Sequence, residues 1–475
     1  MPLPTIPSGN VASATASTSF DVDNSSRWDN ASSMKMTRTP SSTGNSKTWT
    51  FSMWIKIGQI GTEYVLFHNY GSSGTSEVFV KLLSGGTIEF SLRYDGTYEG
   101  RLITNRLFRD CTSWMHLVFV CDTTSSTATN RQRIYVNGVE ETSFSTDTHI
   151  SQDAGTVFNQ SFEHTIGSYG SGNYFDGYMA EVVMLDGTAA AVTDFGEFNS
   201  DSPTIWQPKD VSGLTFGTAG FYLDFKDSSN LGNNANGGQD WTEVNFAAND
   251  QMIDTPTNNF PTFNPLVTAG ADDGSVYTMT YREGNLQGAT MGAQGPLTQI
   301  IPNQGKWFCE LHFNHATADS DPGTIIATLT SLQNYHWYQS GHIGIVFKWH
   351  GDIYENGSDS GTNSDAYTTN DIISLAINRD DNQITLYKNG SVMTNANARS
   401  FSNLGNYDDF VIAYQDGANA STYDTLCDLN AGQNGTFNGR KTAGGNADGN
   451  GYGNFSMAVP SGYYSLCSKN IAEFG

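Results

Sequence analysis

The feature that most limits what this chain can become is the cadence of its apolar runs. Short stretches in which aromatic or aliphatic residues alternate with polar ones recur at intervals of roughly eight to twelve residues, divided by Gly, Asn and Ser turns. Trp49–Ile57 (WTFSMWIKI) is the clearest, and Glu63–Phe67, Ser76–Leu83, Thr87–Tyr94 and Trp114–Cys121 continue it. Alternation of this kind is the mark of a half-buried strand, because successive side chains leave a strand on opposite faces. Arg133–Glu140 (RIYVNGVE) reads as a hairpin, since Asn-Gly tolerates the positive φ that a two-residue turn requires. His164–Ile166, Tyr174–Leu185 and Phe221–Phe225 follow, and Ala189–Phe198 is the one segment that reads as a helix. A second series begins near Ser275, with Trp307–Phe313, His342–Phe347, Ile372–Asn378, Gln383–Lys388, Phe410–Tyr414 and Gly462–Cys467. The prediction is an all-β protein made of two jelly-roll-like antiparallel β-sandwiches.

Length agrees, since 475 residues exceed what one sandwich core organises. The expected division is an N-terminal arm over 1–15, a first sandwich over 16–226, an ordered Pro/Asn-rich connector over 227–266 and a second sandwich over 267–475. Within the connector, Asp227–Gln239 (DSSNLGNNANGGQ) is polar and rich in turn residues. Thr255–Leu266 (TPTNNFPTFNPL) carries prolines that exclude a helix or a central strand, with Phe260, Phe263 and Leu266 to bury.

Charge narrows the function classes. The formal net charge is −25 and no Lys/Arg cluster occurs, which argues against a nucleic-acid groove. No stretch approaches about 18 unbroken apolar residues, so membrane insertion by a helix is not expected. The N-terminal residues Met1 to Thr15 show neither a basic nor an apolar signal-peptide region, which gives an expectation of cytosolic synthesis. Cys111, Cys121, Cys309, Cys427 and Cys467 then read as reduced core thiols.

Several segments resemble known modules. Thr39–Lys56, Ser113–Val120 (SWMHLVFV), Arg133–Val139 and Tyr174–Leu185 are similar to the laminin-G-like, or concanavalin A-like, module over residues 16 to 226. Gly305–Glu310 (GKWFCE), Gly341–Val346 (GHIGIV), Asp371–Gly390, Gly432-Gln433 and Pro460–Tyr463 resemble a SPRY domain, with a Gly- and Asn-rich insertion between Thr436 and Asn454. The two modules around a DxxxDTPTNNFxTxNPL segment (Asp250 to Leu266) resemble a structural protein of tailed, marine-type phages. The resemblance implies a virion location, with synthesis in the host cytoplasm and release by lysis. It also implies a homo-oligomer whose partners are other virion proteins and a host surface glycan or protein.

Chemistry is sparse by comparison. A laminarinase-type Glu-x-Asp-x-Glu strand is absent; Glu77, Glu89, Glu181 and Glu310 stand singly and read as solvated. His116, set between Met115 and Leu117, reads as a structural histidine, and no catalytic residue is assigned. No cofactor is expected beyond a calcium ion, for which the resemblance offers Asp21, Asp23 and Asp29, or Asn173 and Asp176. Loop aromatics are the ligand-binding candidates. Tyr335, His336, Trp337 and Tyr338 stand in a row, and adjacent rings cannot all face one core. Trp349 and Tyr354 follow in the SPRY-like region, and Tyr169 and Tyr174 lie in the Gly-Tyr loop of the first module. The function expected is non-enzymatic recognition by a phage tail-tip, fibre or capsid-surface knob. The alternatives are a purely structural decoration or connector subunit and a polysaccharide depolymerase.

Overall fold

The computed structural model describes residues 20–71, 74–267, 269–270, 276–277, 279–290, 294–315, 322–334, 337–415 and 425–475. The chain divides after Asn258 into two compact units, each a sandwich of mainly antiparallel sheets. Among the described residues only Leu329–Asn334 and Ser468–Phe474 are α-helical. The architecture is the all-β pair of jelly-roll-like sandwiches that the strand cadence predicts.

In the first unit two eight-stranded sheets face one another. The first is centred on Thr48–Ile57, flanked by Met115–Asp122 and Gly177–Asp186. The second runs Phe144–Thr148, Thr97–Thr104, Ile88–Tyr94, Glu77–Leu82, Tyr64–Tyr70, His164–Ile166, Lys35–Arg38, Thr242–Val244. Phe51, Met53, Leu117, Phe119 and Met184 from the first sheet meet Leu66, Val80, Phe90, Leu92 and Leu102 from the second. All five cysteines are free and buried, and burial pushes the Cys111 thiol up to about 12.

Two expectations are corrected. Ala189–Phe198 is a 3-10 turn at Val192–Asp194 followed by a short strand, Gly196–Phe198, paired with Trp206–Pro208. Its apolar residues Ala190 and Phe195, with Val211 and Phe216, cover Val118, Val120, Val183 and Leu185 on the outward face of the first sheet.

The segment 227–266 is divided between the units instead of joining them as a separate connector. Thr242–Val244 and Gln251–Met252 pair into the two sheets of the first unit. Asp250 meets Arg27 at 2.5 Å, and Asp254, fully buried, takes Lys56 Nζ at 2.8 Å and Trp114 Nε1 at 2.9 Å. Past Asn258, Phe260 and Phe263 are buried in the second unit, and Gln433 Nε2 donates to the Pro261 carbonyl. The spaced acids and phenylalanines of the DxxxDTPTNNFxTxNPL motif are thus anchors, one half to each sandwich.

Among the described residues the second unit holds a nine-stranded third sheet centred on Lys306–His315 and a six-stranded fourth sheet centred on Gly323–Thr328. Tyr414 of the fourth sheet points at the third, where its ring occupies the space a side chain at Gly288 would need. The alternate residues Val411 and Ala413 therefore face away from the core.

Candidate functional site

The outward face of the second sheet is a grid of charges and rings. Outward positions follow from the two-residue period: Glu77, Phe79 and Lys81 on one strand, Glu89, Ser91 and Arg93 on the next. Cross-strand register then lines up Tyr70, Glu77, Arg93 and Tyr98 in one row. His68, Phe79, Ser91 and Arg101 form the second row, and Val65, Lys81, Glu89 and Ile103 the third. The strand Thr97–Thr104, which supplies Tyr98 and Arg101, is missing from the sequence expectation, because TYEGRLIT has few apolar residues to mark it.

Each charge on this face has a partner. Glu77 accepts from Tyr169 Oη at 2.7 Å and from His68 Nε2 at 3.2 Å, and pairs with Arg93. Glu89 accepts from Arg101 Nε and Ser91 Oγ, both at 2.7 Å. Lys81 lies 4.4 Å from the Tyr169 ring centroid and 3.2 Å from Glu63. The Tyr98 ring is flanked by Arg101 at 4.3 Å and Arg93 at 5.0 Å.

Protonation follows from this wiring. Burial pushes the Glu77 carboxyl up, but the His68 and Tyr169 hydrogen bonds and the Arg93 charge outweigh it and hold it below the usual carboxylate range. Burial pushes His68 down against the pull of Glu77, so the imidazole is neutral. Among the described residues its Nδ1 is buried without a partner, which places the one proton on Nε2, donated to Glu77. Glu77, Glu89 and Ser91 form its buried floor, whereas Tyr98 is 38% exposed. Sugar-binding surfaces combine such features, fixed hydrogen-bonding groups beside an accessible ring.

The other sequence candidates fall in different surroundings. Tyr169 belongs to the grid, where its ring lies 4.3 Å from His68. Tyr174 is half-buried beyond it. Tyr335 and His336 lie outside the described residues. Trp337 is 8% exposed and packs with Leu332 on Ile325, Ala327, Val346, Val411 and Ala413, covering the outward face of the fourth sheet. Lys348 Nζ stands 4.2 Å from its ring, and Tyr354 meets it edge-on at 4.5 Å. Of that aromatic row, Tyr338 is the described residue that reaches solvent, 45% exposed. Trp349 is half-buried and touches His350, which pairs with Asp352 at 3.0 Å.

The carboxylates expected to be solvated are not. Glu77, Glu89, Glu181 and Glu310 are all buried, each taking hydrogen bonds that a lone strand carboxylate does not reveal in sequence. Glu310 accepts from Ser456 N and Oγ and from Asn430.

His116 is held between Trp206 Nε1, which donates to Nδ1 at 3.0 Å, and Ser52 Oγ, 2.8 Å from Nε2. With Nδ1 accepting, Nε2 carries the proton and donates to Ser52, the reverse of a base. Burial pushes its pKa down to about 3.

Nor do the calcium candidates gather into a cage. Asp29 caps the 3-10 turn Asn30–Ser32 through Ala31 N and Ser32 Oγ, Asp176 accepts from Asn30 N, and Asn173 donates to Glu63. Asp21 and Asp23 are exposed at the start of the unit. Among the described residues no three His, Cys, Asp or Glu side chains converge as a metal would need.

Residues 29–191 match the family model described as the concanavalin A-like lectin/glucanases superfamily. No curated protein sequence matches the chain. Among solved structures the chain is similar to the SPRY domain of human HERC1, at 10% identity over 35% of this chain and 96% of that one, with a TM-score of 0.29. It is similar to domains LG4-5 of the mouse laminin alpha1 chain, at 9% identity over 87% and 91%, with a TM-score of 0.30. It is also similar to a heptameric pentraxin of Limulus polyphemus, at 14% identity over 37% and 82%, with a TM-score of 0.27.

Proposed function

We propose that the protein is a non-catalytic recognition protein whose first sandwich binds a glycan across the outward face of its second sheet. The observation that carries this reading is the grid itself, with rings and paired charges held in place before any ligand arrives. Preorganised groups of this kind lose little entropy on binding. The lectin description of the matching family agrees with it. The finer setting, a phage appendage or surface knob that meets a host glycan, is supported by the sequence pattern of two modules around the DxxxDTPTNNFxTxNPL segment. Screening the full chain on a glycan array, then titrating hits by calorimetry, tests the reading. Tyr98→Ala should weaken binding about tenfold or more, as loss of a central aromatic contact does. Hits whose affinity is indifferent to Tyr98 and Arg101 would move the site elsewhere.

A structural role is favoured by one separate observation. Val139, on the edge strand of the first sheet, and Phe198 beside Trp206 are exposed apolar residues, 56% and 45% accessible. They suit contact with a neighbouring virion subunit. Val139→Asp should lower incorporation into particles and leave glycan binding unchanged.

A further inference from the structure

A β-bulge beside the grid turns one more carboxylate in another direction. On the paired strands Ile88–Tyr94 and Thr97–Thr104, Leu92 stands opposite Gly100 and Arg93 opposite Tyr98, so Glu99 is the extra residue. A bulge re-aims its side chain. Tyr98 and Arg101 stay with the grid, while Glu99 lines a cleft of about 380 Å³ at the end of the strands. The opposite wall is Ile150 with Ala154 to Val157, and Ile150 approaches because residue 100 is glycine: a Cβ there would meet Gln132 Oε1 in contact and Ile150 N at 3.1 Å.

The lining has three parts. Val78, Leu92 and Ile150 give an apolar floor, and Tyr94, 62% exposed, stands as a free ring at the mouth. Arg93 brings a cation already bound to Glu77 and to the Gly96 carbonyl. Glu99 brings an anion that, among the described residues, enters no hydrogen bond or ion pair. The buried carboxylate of Asp186 is the contrast: it accepts from Asn45 N, Asn159 Nδ2, Thr218 N and Ala219 N.

We infer that this cleft binds a single neutral pyranose, the end unit of the glycan that lies on the grid. A volume near the lower end of the roughly 300–1,000 Å³ of ligand pockets suits one ring and not a chain. One cation and one anion at the same mouth disfavour a ligand carrying net charge of either sign. A carboxylate accepts from two neighbouring hydroxyls at once, and charge-assisted bonds of that kind are the stronger ones. The ring's C–H face would lie on Tyr94. Arg93 joins grid and cleft, so the inference rests on the glycan reading and names where the chain ends.

The test uses the full-length protein and ligand-observed NMR titration. The probes are methyl pyranosides of glucose, galactose, mannose and xylose, the tetrasaccharides of the same sugars, and methyl glucuronide. At least one neutral pyranoside should bind at millimolar concentration and at least tenfold tighter than the glucuronide. Glu99→Gln and Tyr94→Ala should each weaken it tenfold or more, with melting temperatures unchanged because both side chains stand at the mouth. Tyr98→Ala should weaken the tetrasaccharide and spare the pyranoside. Tetrasaccharide binding with no pyranoside binding, or with indifference to Glu99 and Tyr94, overturns the cleft and leaves the grid standing. Absence of all sugar binding overturns both.

Discussion

The outward faces of the second and fourth sheets start from the same two-residue alternation and end differently. On the fourth sheet the outward residues are Ile325, Ala327, Val346, Val411 and Ala413, and water is kept off them by Leu332 and Trp337. On the second they are His68, Glu77, Phe79, Lys81, Glu89, Ser91, Arg93 and Arg101, overlain by Tyr169 and by their own long side chains. An apolar outward face must be covered, and the aromatic residue that covers it is then unavailable to a ligand. A polar outward face can satisfy itself by cross-strand pairing and leave rings such as Tyr98 accessible. A cluster of aromatics in sequence therefore marks a cover as readily as a site.

The largest expected effect breaks or upholds that contrast directly. Trp337→Ala should destabilise the second unit by about 3–5 kcal/mol, the usual consequence of emptying an aromatic site. Chemical denaturation of the full chain, with a probe in the second unit, measures it. The neighbouring change Tyr338→Ala should stay within about 0.5 kcal/mol of wild type. A Trp337→Ala protein that melts normally would return Trp337 to the list of binding residues.

Two buried glutamates sharpen the contrast within the first unit, where the outward face of the first sheet is covered and that of the second is polar. Under the cover, Glu181 has φ 48° at a bulge in Gly177–Asp186, and Tyr222 Oη donates to it at 2.7 Å. Burial, with Asp224 and Asp210 nearby, pushes its pKa up to about 8. In the unfolded chain the same group ionises near its ordinary value of 4.5. Between those values the unfolded state releases a proton that the folded state keeps, so stability should fall as pH rises from 4.5 to 8. The size should be on the order of a few kcal/mol, at about 1.4 kcal/mol per unit. Glu181→Gln should flatten this slope, read from denaturation midpoints at pH 5 and pH 8; an unchanged slope refutes the assignment.

Glu77 should behave oppositely. Its lowered pKa gives stability that is present above the unfolded value and lost as pH falls through the folded one. Glu77→Gln should cost about 1–3 kcal/mol at neutral pH, because Arg93, His68 and Tyr169 lose a charged acceptor. The difference from wild type should shrink as the pH is taken below 4.5. A difference that holds constant into acid would mean that Glu77 is protonated throughout.

Much of this architecture was legible in the sequence. The alternation in WTFSMWIKI, the Asn-Gly hairpin and the recurrence of strands led to two sandwiches, because period and turn chemistry are local properties. Strand Thr97–Thr104 escaped because its identity as a strand comes from pairing with Ile88–Tyr94, a tertiary fact. The same holds for Ala189–Phe198, whose apolar residues Ala190 and Phe195 cover a sheet face instead of lining a helix. Of the candidate site, Tyr169 was legible from its Gly-rich loop. Glu77, Arg93, Tyr98, Glu99 and Arg101 were not, since only cross-strand register and a bulge bring them together.

The smallest effect concerns Tyr169, which stands between the two kinds of face. Its ring lies over the grid as Trp337 lies over the fourth sheet, yet it is half-buried and holds on through a hydroxyl bonded to Glu77. Tyr169→Phe keeps the ring and removes that bond, so it should cost about 1 kcal/mol, the net worth of one hydrogen bond, or somewhat more to a charged acceptor. The loop itself is tied by reciprocal backbone bonds between Tyr169 and Gly172 and by Lys35 Nζ on the Gly170 carbonyl, so it should not unfold. Hydrogen exchange at Tyr169 and Gly172 should quicken only modestly, and binding to grid-dependent glycans should change by less than it does in Tyr98→Ala. A loss as large as that of Trp337→Ala would mean that Tyr169 is a structural cover after all, and that the second sheet is closed in the same way as the fourth.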